Sequence, residues 1–147
     1  MPTRTFWLVS GSGLVPFLVC LVIVYGTPDF SALHDAAIHT FIVYAALTLS
    51  FLGGARWGAE LVRAPEAPNL RRLVAAAMPS VAGLFALLPQ APRQGALGLL
   101  VLSGGIQLAW DVAASREGLL PPWNARVRTV MTVAGTLCSL ALWPTIA

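Results

Sequence analysis

Apolar residues in this chain run almost unbroken along five stretches, and short clusters of proline, glycine and charge separate them. The stretches cover about residues 6–25, 36–57, 73–88, 95–113 and 127–143, close to the roughly 20 residues that carry a helix across a bilayer. In hydrocarbon a segment must satisfy its backbone groups internally, so each stretch is predicted to be a helix. Turn chemistry falls between them at Gly26–Pro28, Ala64–Pro68, Pro89–Pro92 and Gly118–Pro122. The expected architecture is all-α: an integral membrane bundle of five transmembrane helices forming a single unit over residues 1–147. Pro16 is expected to kink the first span. Pro79 interrupts the third, the shortest, which is therefore expected to pack inside the bundle, where neighbours can satisfy the freed carbonyl. The first stretch also invites reading as a cleavable leader, but an h-region is only about 7 to 15 residues long.

Composition supports this picture. Hydrophobic residues make up 57% of the 147 residues, charged residues 10%, and the mean hydropathy is +0.77, against about 25% charged residues in soluble domains. The net charge of +3 comes from nine arginines, with no lysine, and six acidic residues. The arginines sit at helix ends instead of forming one soluble basic face, so no nucleic-acid partner is expected. Their distribution orients the chain. An N-terminus in the cytoplasm puts Arg4, Arg56, Arg63, Arg71, Arg72, Arg116, Arg126 and Arg128 inside and leaves Arg93 outside, as the positive-inside rule prefers. The C-terminus then lies outside, and the expected location is a bacterial cytoplasmic (inner) membrane, multi-pass. Cys20 and Cys138 lie in apolar runs and read as small buried thiols, not as a disulfide or zinc framework.

With that orientation, polar residues from several spans converge at the cytoplasmic face. Arg56 and Glu60 are four apart and Glu60 and Arg63 three apart, so they can pair along one helical side if the second span continues beyond the membrane. Gln107 and Asp111 share a face of the fourth span, and Arg126 and Arg128 open the fifth. Asp111 is expected to form an interhelical ion pair with Arg56, Arg126 or Arg128, because a carboxylate is too short to snorkel to the head groups as arginine can. Trp57, Trp110 and Trp123 read as belt residues, with stacking on a planar ligand the alternative. Gly53, Gly54 and Gly58 are expected to let another helix approach closely, or else to leave room for a ligand head group. At the opposite face His34, Asp35 and His39 lack a zinc-site spacing, so no metal and no cofactor is expected. No nucleophile with a paired histidine and acid is visible, and the chain is not expected to be an enzyme.

The segment FLGGARWG at 51–58, MPS at 78–80, Asp111 and PPWNARVRTVMT at 121–132 resemble a domain-of-unknown-function membrane family typified by mitochondrial transmembrane protein 69. The resemblance extends over nearly the whole chain. It implies a small five-helix inner-membrane protein, and it places the family pattern on Gly53, Gly54, Arg56, Trp57, Gly58, Pro79, Asp111, Pro122, Trp123, Arg126 and Arg128. Asn124 departs from that pattern, where an aromatic residue is expected.

The functional expectation is a non-enzymatic accessory or assembly factor. Its partners would be the lipid bilayer and either a larger membrane complex, with a respiratory complex as the candidate, or a second copy of the chain. The alternative is a small-molecule or lipid-binding membrane protein or transporter. Its polar site would use Arg56, Trp57, Glu60, Gln107, Asp111, Trp123, Arg126 and Arg128.

Overall fold

The computed structural model describes residues 2–118 and 122–146. The turn expected at Gly118–Pro122 therefore falls largely outside the described residues. The described residues form six helices, α1 (Pro2–Ser12), α2 (Val15–Gly26), α3 (Ala32–Arg63), α4 (Leu70–Ala86), α5 (Arg93–Arg116) and α6 (Pro122–Leu142), followed by a 3-10 turn, Trp143–Thr145. No strand occurs among the described residues. Among the described residues four stretches are long and apolar enough to cross a membrane: Arg4–Gly26, Ala32–Arg63, Arg93–Arg116 and Trp123–Thr145. Their outer surfaces carry Leu8, Val22, Phe51, Leu102, Ile106 and Leu137, all exposed. So much bare apolar surface on every side is what a lipid solvent requires and water penalises.

The first span is two helices in succession. The predicted kink at Pro16 is a break slightly upstream, where Gly13 N–H bonds the Ser10 carbonyl and Leu14 N–H the Gly11 carbonyl at 3.1 and 3.0 Å. Pro16 then sits in the first turn of α2, where its missing N–H costs nothing. The Tyr44 hydroxyl donates to the Gly13 carbonyl at 2.9 Å, so a side chain of α3 satisfies the interrupted backbone.

Helix α3 is longer than its apolar stretch. Its 32 residues extend about 48 Å at about 1.5 Å per residue, well beyond a hydrocarbon core of about 30 Å. The Ser31 side chain caps its start by accepting from His34 N–H, and its last turns carry the helix beyond the apolar run, which ends at Trp57, to Arg63. Helix α4 begins where Asn69 accepts from the backbone N–H groups of Arg71 and Arg72 and ends at Ala86, two residues short of the predicted Leu88. At 17 residues with Pro79 inside it, α4 is not among the four stretches that qualify as spans, and it packs most extensively on α3.

That packing depends on glycine. A Cβ at Gly53 would collide with the Ala76 carbonyl oxygen, and one at Gly83 would come within 3.3 Å of the Ala46 Cβ. The bundle core lies nearer the other end. There Phe17 meets Phe41 and Tyr44 edge-on, with ring centroids 4.8 and 4.9 Å apart, and Ile38, Leu97 and Leu142 are fully enclosed.

Candidate polar site at the arginine-rich end

Three helices meet at one carboxylate. Asp111 of α5 is 1% exposed. Its Oδ1 lies 3.2 Å from Arg56 Nε of α3 and its Oδ2 3.4 Å from Arg128 Nε of α6. The arginine side chains are 9% and 14% exposed. Helix geometry explains why Arg128 and not Arg126 takes this place. Residues two apart point about 200° apart around a helix, so only one of the pair can face α5. Val127 is buried, while Arg126 is exposed and joins no ion pair among the described residues.

Arg56 is held from a second side, its guanidinium carbon 4.1 Å from the Trp110 ring centroid, a cation–π contact that strengthens when the pair is desolvated. Gln107, one turn before Asp111, donates from Nε2 to the Leu52 carbonyl at 3.4 Å and links α5 to α3 beside the ion cluster. The two Asp111–arginine contacts are charge contacts without hydrogen-bond alignment. Both Asp111 oxygens, Arg128 Nη1 and Ser115 Oγ are buried without a hydrogen-bond partner among the described residues.

Glu60 forms a separate cluster. Of the two pairings the spacing along α3 allowed, Glu60 with Arg63 is found and Glu60 with Arg56 is not, because Arg56 turns inward to Asp111 and Glu60 turns to the α3–α4 connection. Arg63 donates to it from Nε and Nη2 at 3.0 and 2.7 Å, Asn69 N–H at 3.0 Å, and Arg72 Nη1 lies at 3.7 Å. The Arg63 hydrogen bonds first, and the Asn69 amide second, hold the Glu60 carboxyl down at about 2. Sequence reasoning missed Asn69, Arg72 and Ser115. Asn69 was open to detection as an N-cap type residue directly before a helical run.

The remaining predicted residues do not join these clusters. Trp57 is half-exposed, and Trp123 packs edge-on against Phe6 of α1 with centroids 4.7 Å apart. Of the three glycines expected to admit a neighbouring helix, only Gly53 meets one; Gly54 and Gly58 have nothing within 4 Å of a built Cβ. At the far end Asp35 pairs with Arg93 at 2.8 Å, and His34 Nδ1 lies 3.1 Å from the Val24 carbonyl oxygen. No group of three metal-ligating side chains occurs among the described residues.

Fold and site together define a small multi-pass membrane protein whose helices are tied near one end by a shared buried carboxylate. The chain belongs to the family described as Protein of unknown function (DUF3429), whose pattern matches residues 2–144. It is similar to Transmembrane protein 69 of Xenopus tropicalis, with 27% identity over 140 residues covering 90% of this chain and 53% of that protein. The chain thus spans about half the length of this curated relative. No solved structure matches it.

Proposed function

We propose that this protein is a non-enzymatic accessory or assembly factor that docks a transmembrane helix of a larger complex, in the bacterial inner membrane with its arginine-rich end in the cytoplasm. The observation that carries the proposal is the outer face of α3. Leu47, Phe51, Gly54, Gly58 and Leu61 follow one another at alternating four- and three-residue spacing, so they form a single stripe. Leu47, Phe51 and Leu61 are exposed large side chains, and the two glycines between them are open. Large residues flanking bare backbone make a groove into which another helix can pack closely, the usual basis of helix association in lipid. Gly53, about 100° around the same helix, already serves α4 in that way, so α3 offers close approach on two sides. The membrane orientation rests on the division of eight arginines against one. A respiratory complex is one candidate for the larger assembly.

The test is a photo-crosslinking residue placed at Phe51 in native membranes. The proposal expects one membrane protein captured at fixed stoichiometry, with capture lost when Gly58→Leu fills the groove and retained when Leu102→Ala alters another exposed face. A discrete homo-oligomer with no other partner, or capture indifferent to Gly58→Leu, would overturn it.

A further inference from the structure

Charge and hydrogen bonding are out of balance at the Asp111 cluster, and the two imbalances point the same way. Two guanidinium groups share one carboxylate, which leaves one net positive charge among side chains that are at most 14% exposed. Buried charge is costly unless it is paired. The same molecule shows what a completed pair looks like: Arg63 meets Glu60 with both Nε and Nη2, and Arg93 meets Asp35 at 2.8 Å.

The unused donors are specific. Arg128 approaches Asp111 through Nε, and Nη1 lies on the far side of the planar guanidinium from the Nε–H edge, so its hydrogens are directed elsewhere. Nη1 is buried and has no acceptor among the described residues. The Ser115 hydroxyl, also buried and unpartnered, lies one helical turn beyond Asp111 on the same face of α5. Among the described residues it makes neither the usual bond to a carbonyl one turn back nor any other. Asp111 contributes two further unpartnered oxygens. These repel an anion, so an anion would be taken by the edge of Arg128 turned away from the carboxylate, where Nη1 lies.

We propose that Arg128 Nη1 and Ser115 Oγ, with Arg56 completing the positive field, bind a singly charged oxyanion of the phosphodiester class. Such a group supplies at least two acceptor oxygens and cancels the remaining charge. Asp111 stands five residues before the end of α5 at Arg116, about 7.5 Å along the axis, and Ser115 only one residue before it. This is head-group depth, so the phosphodiester of an anionic phospholipid is the natural source, and basic pockets between membrane helices are known to take such groups. The site is independent of the docking stripe on α3, and either proposal can fail alone.

The experiment is native mass spectrometry of the full chain in neutral detergent. It is titrated with phosphatidylglycerol, with phosphatidylcholine, and with phosphatidylglycerol in the presence of inorganic phosphate. Wild type should retain one phosphatidylglycerol in preference to phosphatidylcholine. Ser115→Ala and Arg128→Lys should each weaken retention about tenfold, the effect of losing one hydrogen bond to a charged group. Arg71→Gln, which removes an exposed charge from the same end, should not. Displacement of the lipid by inorganic phosphate would support the site and assign it to a soluble oxyanion; indifference to phosphate would support the lipid. Equal retention of the two lipids would overturn the proposal, as would undiminished retention in Ser115→Ala or a loss in Arg71→Gln matching that in Arg128→Lys. Should Arg128→Lys fail to fold, Ser115→Ala decides, since it removes only a hydroxyl.

Discussion

Adding one methyl group at Gly53 tests the packing of α3 on α4 more sharply than any larger change. The Cβ of Gly53→Ala would overlap the Ala76 carbonyl oxygen, a backbone atom of α4, and the Pro79 ring stands 3.5 Å away on the same side. Neither atom belongs to a flexible side chain, so relief requires the two helices to separate. Overpacking of this kind costs about 1–3 kcal/mol. Alanine recovers about 0.5–1 kcal/mol over glycine through helix propensity, so the expected net loss is centred on about 1 kcal/mol and reaches at most about 2.5 kcal/mol. Gly54→Ala is the internal control, since nothing lies within 4 Å of its built Cβ. It gains the propensity without the collision and should stabilise the bundle by up to about 1 kcal/mol. Reversible unfolding of the purified proteins in mixed micelles reads both values. Equal stability of the two variants would refute the close approach, because propensity alone does not distinguish neighbouring positions of one helix.

Tyr44→Phe removes the hydroxyl that serves the Gly13 carbonyl at the break between α1 and α2; a loss of about 1–2 kcal/mol is expected in the same unfolding assay, and no loss would mean that the break holds itself. The Glu60 carboxyl should titrate near 2, well below the ordinary value of about 4.3, and the Asn69 amide resonance reports it directly. Because the folded value is depressed, the contribution of Glu60 to holding the α3–α4 connection is complete above about 4.3 and fades as pH falls towards 2. An Asn69 midpoint at the ordinary value would show that Arg63 does not hold the carboxylate.

Four of the five expected spans were legible because a membrane imposes a length and an apolar composition on each of them, and both are written along the chain; the third, expected over 73–88, is the 17-residue helix α4 around Pro79 and does not reach that length. Their ends were less so. The apolar run of the second span stops at Trp57, yet α3 continues to Arg63, and Glu60 and Arg63 pair within that extension. The break in the first span fell at Gly13 and not at Pro16, since proline is at ease in the opening turn of a helix and the cost passes to the residues before it. At the polar end the sequence identified Asp111 and its possible partners but not the choice among them. That choice depends on how α5 and α6 are rotated, which is fixed by packing across the whole bundle. The glycines show the same limit. Gly53 and Gly54 are adjacent in sequence, and only the approach of α4 distinguishes the one that must stay bare from the one that faces outward.

A pair of double-mutant cycles on Asp111 tests most directly whether this carboxylate ties α3, α5 and α6 together. Asp111→Asn leaves two buried guanidinium groups facing a neutral amide and should cost about 3–5 kcal/mol of unfolding free energy. Adding Arg56→Gln, or Arg128→Gln in the second cycle, should recover part of that loss, with coupling of about 1–3 kcal/mol in each cycle. Exposed Arg126→Gln should show none. Additive losses in both cycles would contradict the shared ion cluster, and coupling to Arg126 instead of Arg128 would contradict the rotation of α6 on which the site is built.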